Sequence, residues 1–81
     1  MTELNKLVGI KIKQKRLALG ITQMELGAIL GCTYQLIQHY ESGFCQMPIY
    51  MLNDFASLCR LKVDWFLLSE YDMLVYVGMI G

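Results

Sequence analysis

Tyr34, Gln35, Gln38 and His39 put four versatile polar side chains within six positions of an 81-residue sequence. A glutamine offers donor and acceptor together, a neutral histidine one of each, and a tyrosine hydroxyl can do both. That equipment suits hydrogen-bonded recognition rather than bond making. Taken without their surroundings, however, Gln35, Gln38 and His39 read first as the solvated outer face of a helix. Catalysis is not expected. His39 and Tyr40 are neighbours on one helix and so face different sides, and no cysteine has an evident base to activate it. No glycine-rich phosphate loop or carboxylate pair with a plausible pocket emerges either. Cys32, Cys45 and Cys59 are odd in number, lack CxxC spacing and have only His39 nearby, which points to neither a zinc site nor a disulfide framework. They read as free thiols, buried or half-buried, in a reducing cytosol. Neither metal nor cofactor is expected.

A chain this short holds one domain, with a core small enough that burial against a partner would help it. Apolar residues at 56% exclude a disordered tail, and seven Lys plus Arg against seven Asp plus Glu exclude coating of a polyanion through bulk charge. Charge position says more. Lys6, Lys11, Lys13, Lys15 and Arg16 lie in the first sixteen residues, with Arg60 and Lys62 near the other end, so one face can be positive on a neutral molecule. The N-terminus has no apolar signal core. The longest apolar stretches, around 63–68 and 73–81, fall short of the ~20 residues of a membrane helix. A soluble, cytoplasmic chain is expected.

Glycines 20, 31 and 43 and Pro48 cut the chain into short helical lengths. In the first, Leu4, Leu7, Val8, Ile12 and Leu19 share a face at helical spacing, Lys15 projects near it, and Ile10 and Leu17 point away. Thr22-Gln23-Met24-Glu25 is a capping box that starts a second helix, with Met24, Leu26, Ile29 and Leu30 as its apolar surface. Only Cys32 separates Gly31 from a third start at Thr33. Residues 33–42 read as a helix with Ile37 and Tyr40 inward. Two short helices joined by so tight a glycine-containing turn match a helix-turn-helix, whose second helix projects from the body. Pro48 fits the first turn of a fourth helix with Leu52, Phe55, Ala56 and Cys59 inward. Residues 63–68 make a fifth, with Trp65 as its main core residue. Leu74-Val75-Tyr76-Val77 has strand propensity.

The stretch 8–68 resembles the Cro/C1-type helix-turn-helix family of phage and bacterial repressors. Three blocks carry the likeness: Lys15-Arg16-Leu17-Ala18-Leu19-Gly20-Ile21-Thr22-Gln23-Met24-Glu25-Leu26-Gly27, then Gly31-Cys32-Thr33 with Tyr40-Glu41-Ser42-Gly43, then Leu61-Lys62-Val63-Asp64-Trp65-Phe66-Leu67. The resemblance implies an all-α, five-helix bundle of the lambda-repressor-like DNA-binding type over 1–69. A short apolar extension over 70–81, possible as a strand, would follow it. It implies that the third helix enters the major groove of double-stranded DNA, with base contacts from Tyr34, Gln35, Gln38 and His39. Phosphate contacts would come from Gln23, Thr33, Lys13 and Arg16, and an Arg16–Glu41 ion pair would tie the first helix to the third. Glutamine can bind adenine N6 and N7 bidentately, which is an independent reason to place Gln35 and Gln38 at base edges.

Three departures stand out. Gly27 replaces alanine in the second helix, at a propensity cost of about 1 kcal/mol. Leu36 sits where a serine or threonine is usual. The 44–47 loop carries no cation, so fewer phosphates would be neutralised and binding would be weaker and less salt-sensitive. Dimerisation would then supply affinity. The expected function is a transcriptional regulator, as a repressor, binding a pseudo-palindromic operator as a homodimer in a bacterial or phage setting. Ile10, Leu17 and the tail residues Tyr71, Leu74, Val75, Tyr76 and Val77 are candidate interface surface, by strand pairing of two tails or otherwise. The tail folding back on its own core is the competing expectation. The alternative function is a protein-interaction module, antitoxin-like or adaptor, that uses the apolar tail. A third reading is the N-terminal piece of a longer regulator.

Overall fold

The glycine punctuation falls at helix ends. Gly20, Gly31 and Gly43 all lie in the left-handed region, with φ of 73°, 79° and 79°. A computed structural model of the chain describes residues 3–67 and divides them into five helices: α1 Glu3–Ala18, α2 Gln23–Leu30, α3 Tyr34–Ser42, α4 Ile49–Leu58 and α5 Asp64–Leu67. Helix α1 packs on α3 and α5, and α2 packs on α3 and α4. The all-α, five-helix expectation holds. The proposed boundary at 69/70 and the extension that follows it lie outside the described residues.

The core is drawn from every helix. Ile12 of α1, Leu26 of α2, Ile37 of α3, Phe55 of α4 and Phe66 of α5 are fully buried, joined by Met47 from the loop before α4. The expectation for α5 needs correcting. Phe66, not Trp65, is its core residue, with its ring 5.5 Å from that of Phe55. Trp65 is half-buried and meets Phe66 edge-on at 5.0 Å. In a helix of barely one turn only one aromatic can point inward. The indole instead stays at the rim, with the Lys11 and Lys15 ammonium groups 5.1 and 4.7 Å from its ring centre. The Lys11 Nζ also donates to the Trp65 carbonyl at 2.8 Å, which satisfies a C-terminal carbonyl of α5 with a cation that is itself buried.

Other apolar expectations are trimmed. Leu4, Leu19, Met24 and Ile29 are exposed, so Val8 and Ile12 carry the inner face of α1 and Leu26 that of α2. Ile10 and Leu17 are exposed, as their positions on the wheel require. Pro48 is the residue before α4 rather than a member of its first turn, and it starts the helix without any side-chain cap. Helix α4 ends in a Schellman closure: Arg60 N–H bonds the Ser57 carbonyl at 3.0 Å and Leu61 N–H that of Ala56 at 2.8 Å. The left-handed residue this closure demands is Arg60, at φ 59°.

Two glycines inside helices are explained by close approach. A Cβ on Gly9 of α1 would sit 2.5 Å from the carbonyl oxygens of both Tyr40 and Glu41, where α1 crosses the end of α3. A Cβ on Gly27 would sit 2.6 Å from the Cys32 carbonyl. The helix propensity that Gly27 gives up in α2 is therefore what lets the turn to α3 fold back so tightly.

Candidate nucleic-acid interface

Helix α2 begins as its sequence dictates. Glu25 N–H donates to the Thr22 hydroxyl at 3.0 Å and Thr22 N–H to the Glu25 carboxylate at 2.9 Å, closing the capping box. At the other end, Cys32 N–H reaches back to the Gly27 carbonyl at 2.8 Å with Gly31 left-handed between them. Thr33 then caps α3, its hydroxyl accepting from Leu36 N–H at 3.3 Å. That oxygen still carries a hydrogen it can donate outward.

Helix α3 has a sharp inside and outside. Ile37, Tyr40 and Glu41 are buried, while Tyr34, Gln35, Gln38 and His39 are exposed. Gln35 and His39, four apart, fall on one outward strip, and Ser42 extends it. Leu36 is partly exposed on the flank. The Tyr40 phenol is pushed up from its ordinary pKa first by burial and then by the nearby ionisable groups of Cys32, Cys45 and Tyr50, so it stays neutral inside. Burial likewise raises the Cys32 thiol in the turn. Cys32, Cys45 and Cys59 are free and half-buried.

The inner side of α3 is anchored by charge. Arg16 Nε donates to Glu41 Oε2 at 2.6 Å and its second terminal nitrogen to Oε1 at 3.1 Å, a bidentate pair. The remaining terminal nitrogen caps the Ile21 carbonyl at 2.9 Å. Gln23 Nε2 joins at Glu41 Oε1 at 3.1 Å. A carboxylate only accepts, so the amide nitrogen must be the group facing it, and its second hydrogen remains available. One buried carboxylate thus collects donors from α1 and α2 and fixes α3 against both.

Arg16 is only 7% exposed and gives three of its five N–H donors to Glu41 and Ile21, so it supports α3 from within. Lys13 is exposed on α1, and Thr33 and Gln23 lie at the starts of α3 and α2. Tyr71, Leu74, Val75, Tyr76 and Val77 lie outside the described residues.

A family model described as helix-turn-helix matches residues 12–66, the stretch just described from Ile12 of α1 to Phe66 of α5. The chain belongs to the Cro/C1-type helix-turn-helix family. Curated relatives agree. The chain is 36% identical over 59 residues to an uncharacterized HTH-type transcriptional regulator of Sinorhizobium medicae, covering 73% of this chain and 42% of that protein. It is 34% identical over 59 residues to an uncharacterized transcriptional regulator in the ATPase CF(0) region of Rhodospirillum rubrum, covering 73% and 55%. The matched segment thus spans about half the length of these relatives. Among solved structures, the hypothetical transcription factor NHTF from Neisseria matches with a TM-score of 0.76 at 16% identity, over 91% of this chain and 85% of that one, which is a likeness of fold.

Within this helix-turn-helix protein, sequence reasoning missed Phe44. Its ring meets that of His39 in a tilted contact, with centroids 4.9 Å apart and planes at 46°. An apolar residue directly after a helix-ending glycine is the signal that could have found it, since such a residue commonly packs back on the last turn. Among the described residues no helix is long and apolar enough to cross a membrane, and no cluster of three metal-ligating side chains occurs.

Proposed function

We propose that the chain is the DNA-binding part of a transcriptional regulator and that it reads duplex sequence with α3 in the major groove. The observation that carries this reading is the division of α3: an outer strip of Gln35, Gln38 and His39 facing solvent, on a helix fixed from behind by the Arg16–Glu41–Gln23 network. A side chain that reads bases must be exposed while its helix is held rigid, and α3 meets both conditions. Gln35 and Gln38 bind base edges, Tyr34 and His39 assist at either end, and Thr33, Gln23 and Lys13 contact phosphates. The relatives' description as transcriptional regulators supports the same reading.

One α3 spans only a few base pairs. We infer a homodimer acting as a repressor on a pseudo-palindromic operator, with half-sites about one helical turn apart. The tail residues Tyr71, Leu74, Val75, Tyr76 and Val77 are the proposed contact between protomers, and a cytoplasmic, bacterial or phage setting follows from the regulatory role. Selection of bound duplexes from a random pool tests the reading, because it returns the sequence, its symmetry and its spacing together. Gln35→Ala and Gln38→Ala are each expected to cost about 1–3 kcal/mol on the selected duplex with folding unchanged. An asymmetric site, with a monomeric mass by sedimentation on and off that duplex, would refute the dimer. Retained binding in both glutamine variants would refute base readout by α3.

A further inference from the structure

We propose that Phe44 is a positioning residue for His39, holding its imidazole in the orientation with which α3 meets the duplex; this rests on the DNA-binding reading above. The backbone closure at the end of α3 sets up the contact. Gly43 turns left-handed at φ 79°, its N–H bonds the Tyr40 carbonyl at 3.2 Å, and Phe44 N–H bonds the His39 carbonyl at 3.0 Å. Ser42 Oγ donates to the same His39 carbonyl at 3.0 Å. Residue 44 is therefore tied to the backbone of residue 39, and its ring comes back against the imidazole.

The ring is not serving the core. Phe44 is 66% exposed, and its ring partner is His39 at 4.9 Å, a separation at which tilted aromatic pairs attract. Neither ring meets another aromatic among the described residues. An exposed histidine otherwise loses rotamer freedom when it binds, and a neighbour that orders it beforehand removes part of that cost. The pair is tilted, and His39 stays exposed beside Phe44, so its imidazole can still meet a base or a phosphate. The 44–47 loop has no cation, so apolar positioning rather than charge is the contribution this loop can make at the end of α3.

The test is a double-mutant cycle on the duplex selected by the wild-type chain, with Phe44→Ala, His39→Ala and the pair, and with Phe44→Tyr and Phe44→Leu alongside. Phe44→Ala should weaken binding by about 2- to 12-fold, the worth of an aromatic pair. It should have no further effect once His39 is alanine, and it should relax base preference only where His39→Ala does. Tyrosine should restore both, whereas leucine, which keeps an apolar contact without the ring, should restore neither while leaving the fold intact. In the free protein, loss of the ring should shift the His39 ring-proton resonances, because the ring current beside them is removed. An equal loss in both His39 backgrounds, or unchanged or tighter binding by Phe44→Ala, overturns the proposal. A wild-type chain that selects no duplex overturns the DNA reading and this proposal together, an outcome distinct from an additive cycle on a duplex that does bind.

Discussion

Arg16 and Glu41, twenty-five positions apart, meet as a bidentate ion pair that is sealed from solvent on both sides, 7% and 8% exposed. The pair joins the last turn of the first helix to the last turn of the third. Because Gln23 shares the same carboxylate, three helices converge on one acidic group. Orientation of the outer strip of α3 thus depends on a contact made on its hidden side.

Removing one partner should cost more than removing both. Glu41→Ala leaves a buried guanidinium unpaired and is expected to destabilise the fold by about 3–5 kcal/mol in chemical denaturation. Arg16→Met combined with Glu41→Leu should recover most of that loss. A double variant no more stable than Glu41→Ala would contradict the account.

Gly9→Ala pits helix propensity against space. Propensity alone forecasts a gain of about 1 kcal/mol. The added Cβ would lie 2.5 Å from two carbonyl oxygens of the α3 backbone, which no side-chain rotation can relieve. We expect a net loss of about 2 kcal/mol or more, as for overpacking. The sign of the change in urea midpoint decides it.

Arg60→Gly should stabilise. An L side chain in the left-handed region costs about 1–2 kcal/mol, and the added unfolded-chain entropy of glycine returns part of it. A net gain of about 0.5–1 kcal/mol, or a few degrees in melting temperature, is expected for a domain of this size. A lower melting temperature would mean that the Arg60 side chain earns its place through contacts of its own.

The thiols set an alkaline limit. Burial raises Cys32, and raises Cys59 against the opposing pull of Lys15. Between the ordinary thiol value near 8.5 and the raised folded values, the unfolded chain ionises first and binds fewer protons. This contribution is intact below about pH 8.5 and is lost as pH rises through the folded values. Cys32→Ser with Cys59→Ser should flatten the fall in stability as pH rises above about 8.5. An unchanged alkaline limb in that variant would sink the assignment.

How much was readable beforehand depends on the range of the interaction. The capping box at Thr22 and Glu25, the glycine stops and the Thr33 start involve neighbours in sequence, and the helix boundaries follow from them. The inward set of α3 is periodic and was equally readable. What escaped is set by distant packing. Whether Trp65 or Phe66 points inward is decided by Lys11, Lys15 and Phe55, and Gly9 looks like a poor helix residue until α3 is laid across it. Arg16 could be paired with Glu41 by resemblance, but how deeply the pair is buried emerges only from the packed helices.

The rim position of Trp65 has a practical corollary. It is the sole tryptophan of the chain, and its ring centre lies 5.1 and 4.7 Å from the ammonium groups of Lys11 and Lys15 on α1. Intrinsic fluorescence therefore reports on a single seam, where the first and fifth helices touch. Any event that parts those helices, whether ligand, partner or solvent, becomes visible without a label, while changes confined to the outer strip of α3 leave the signal silent.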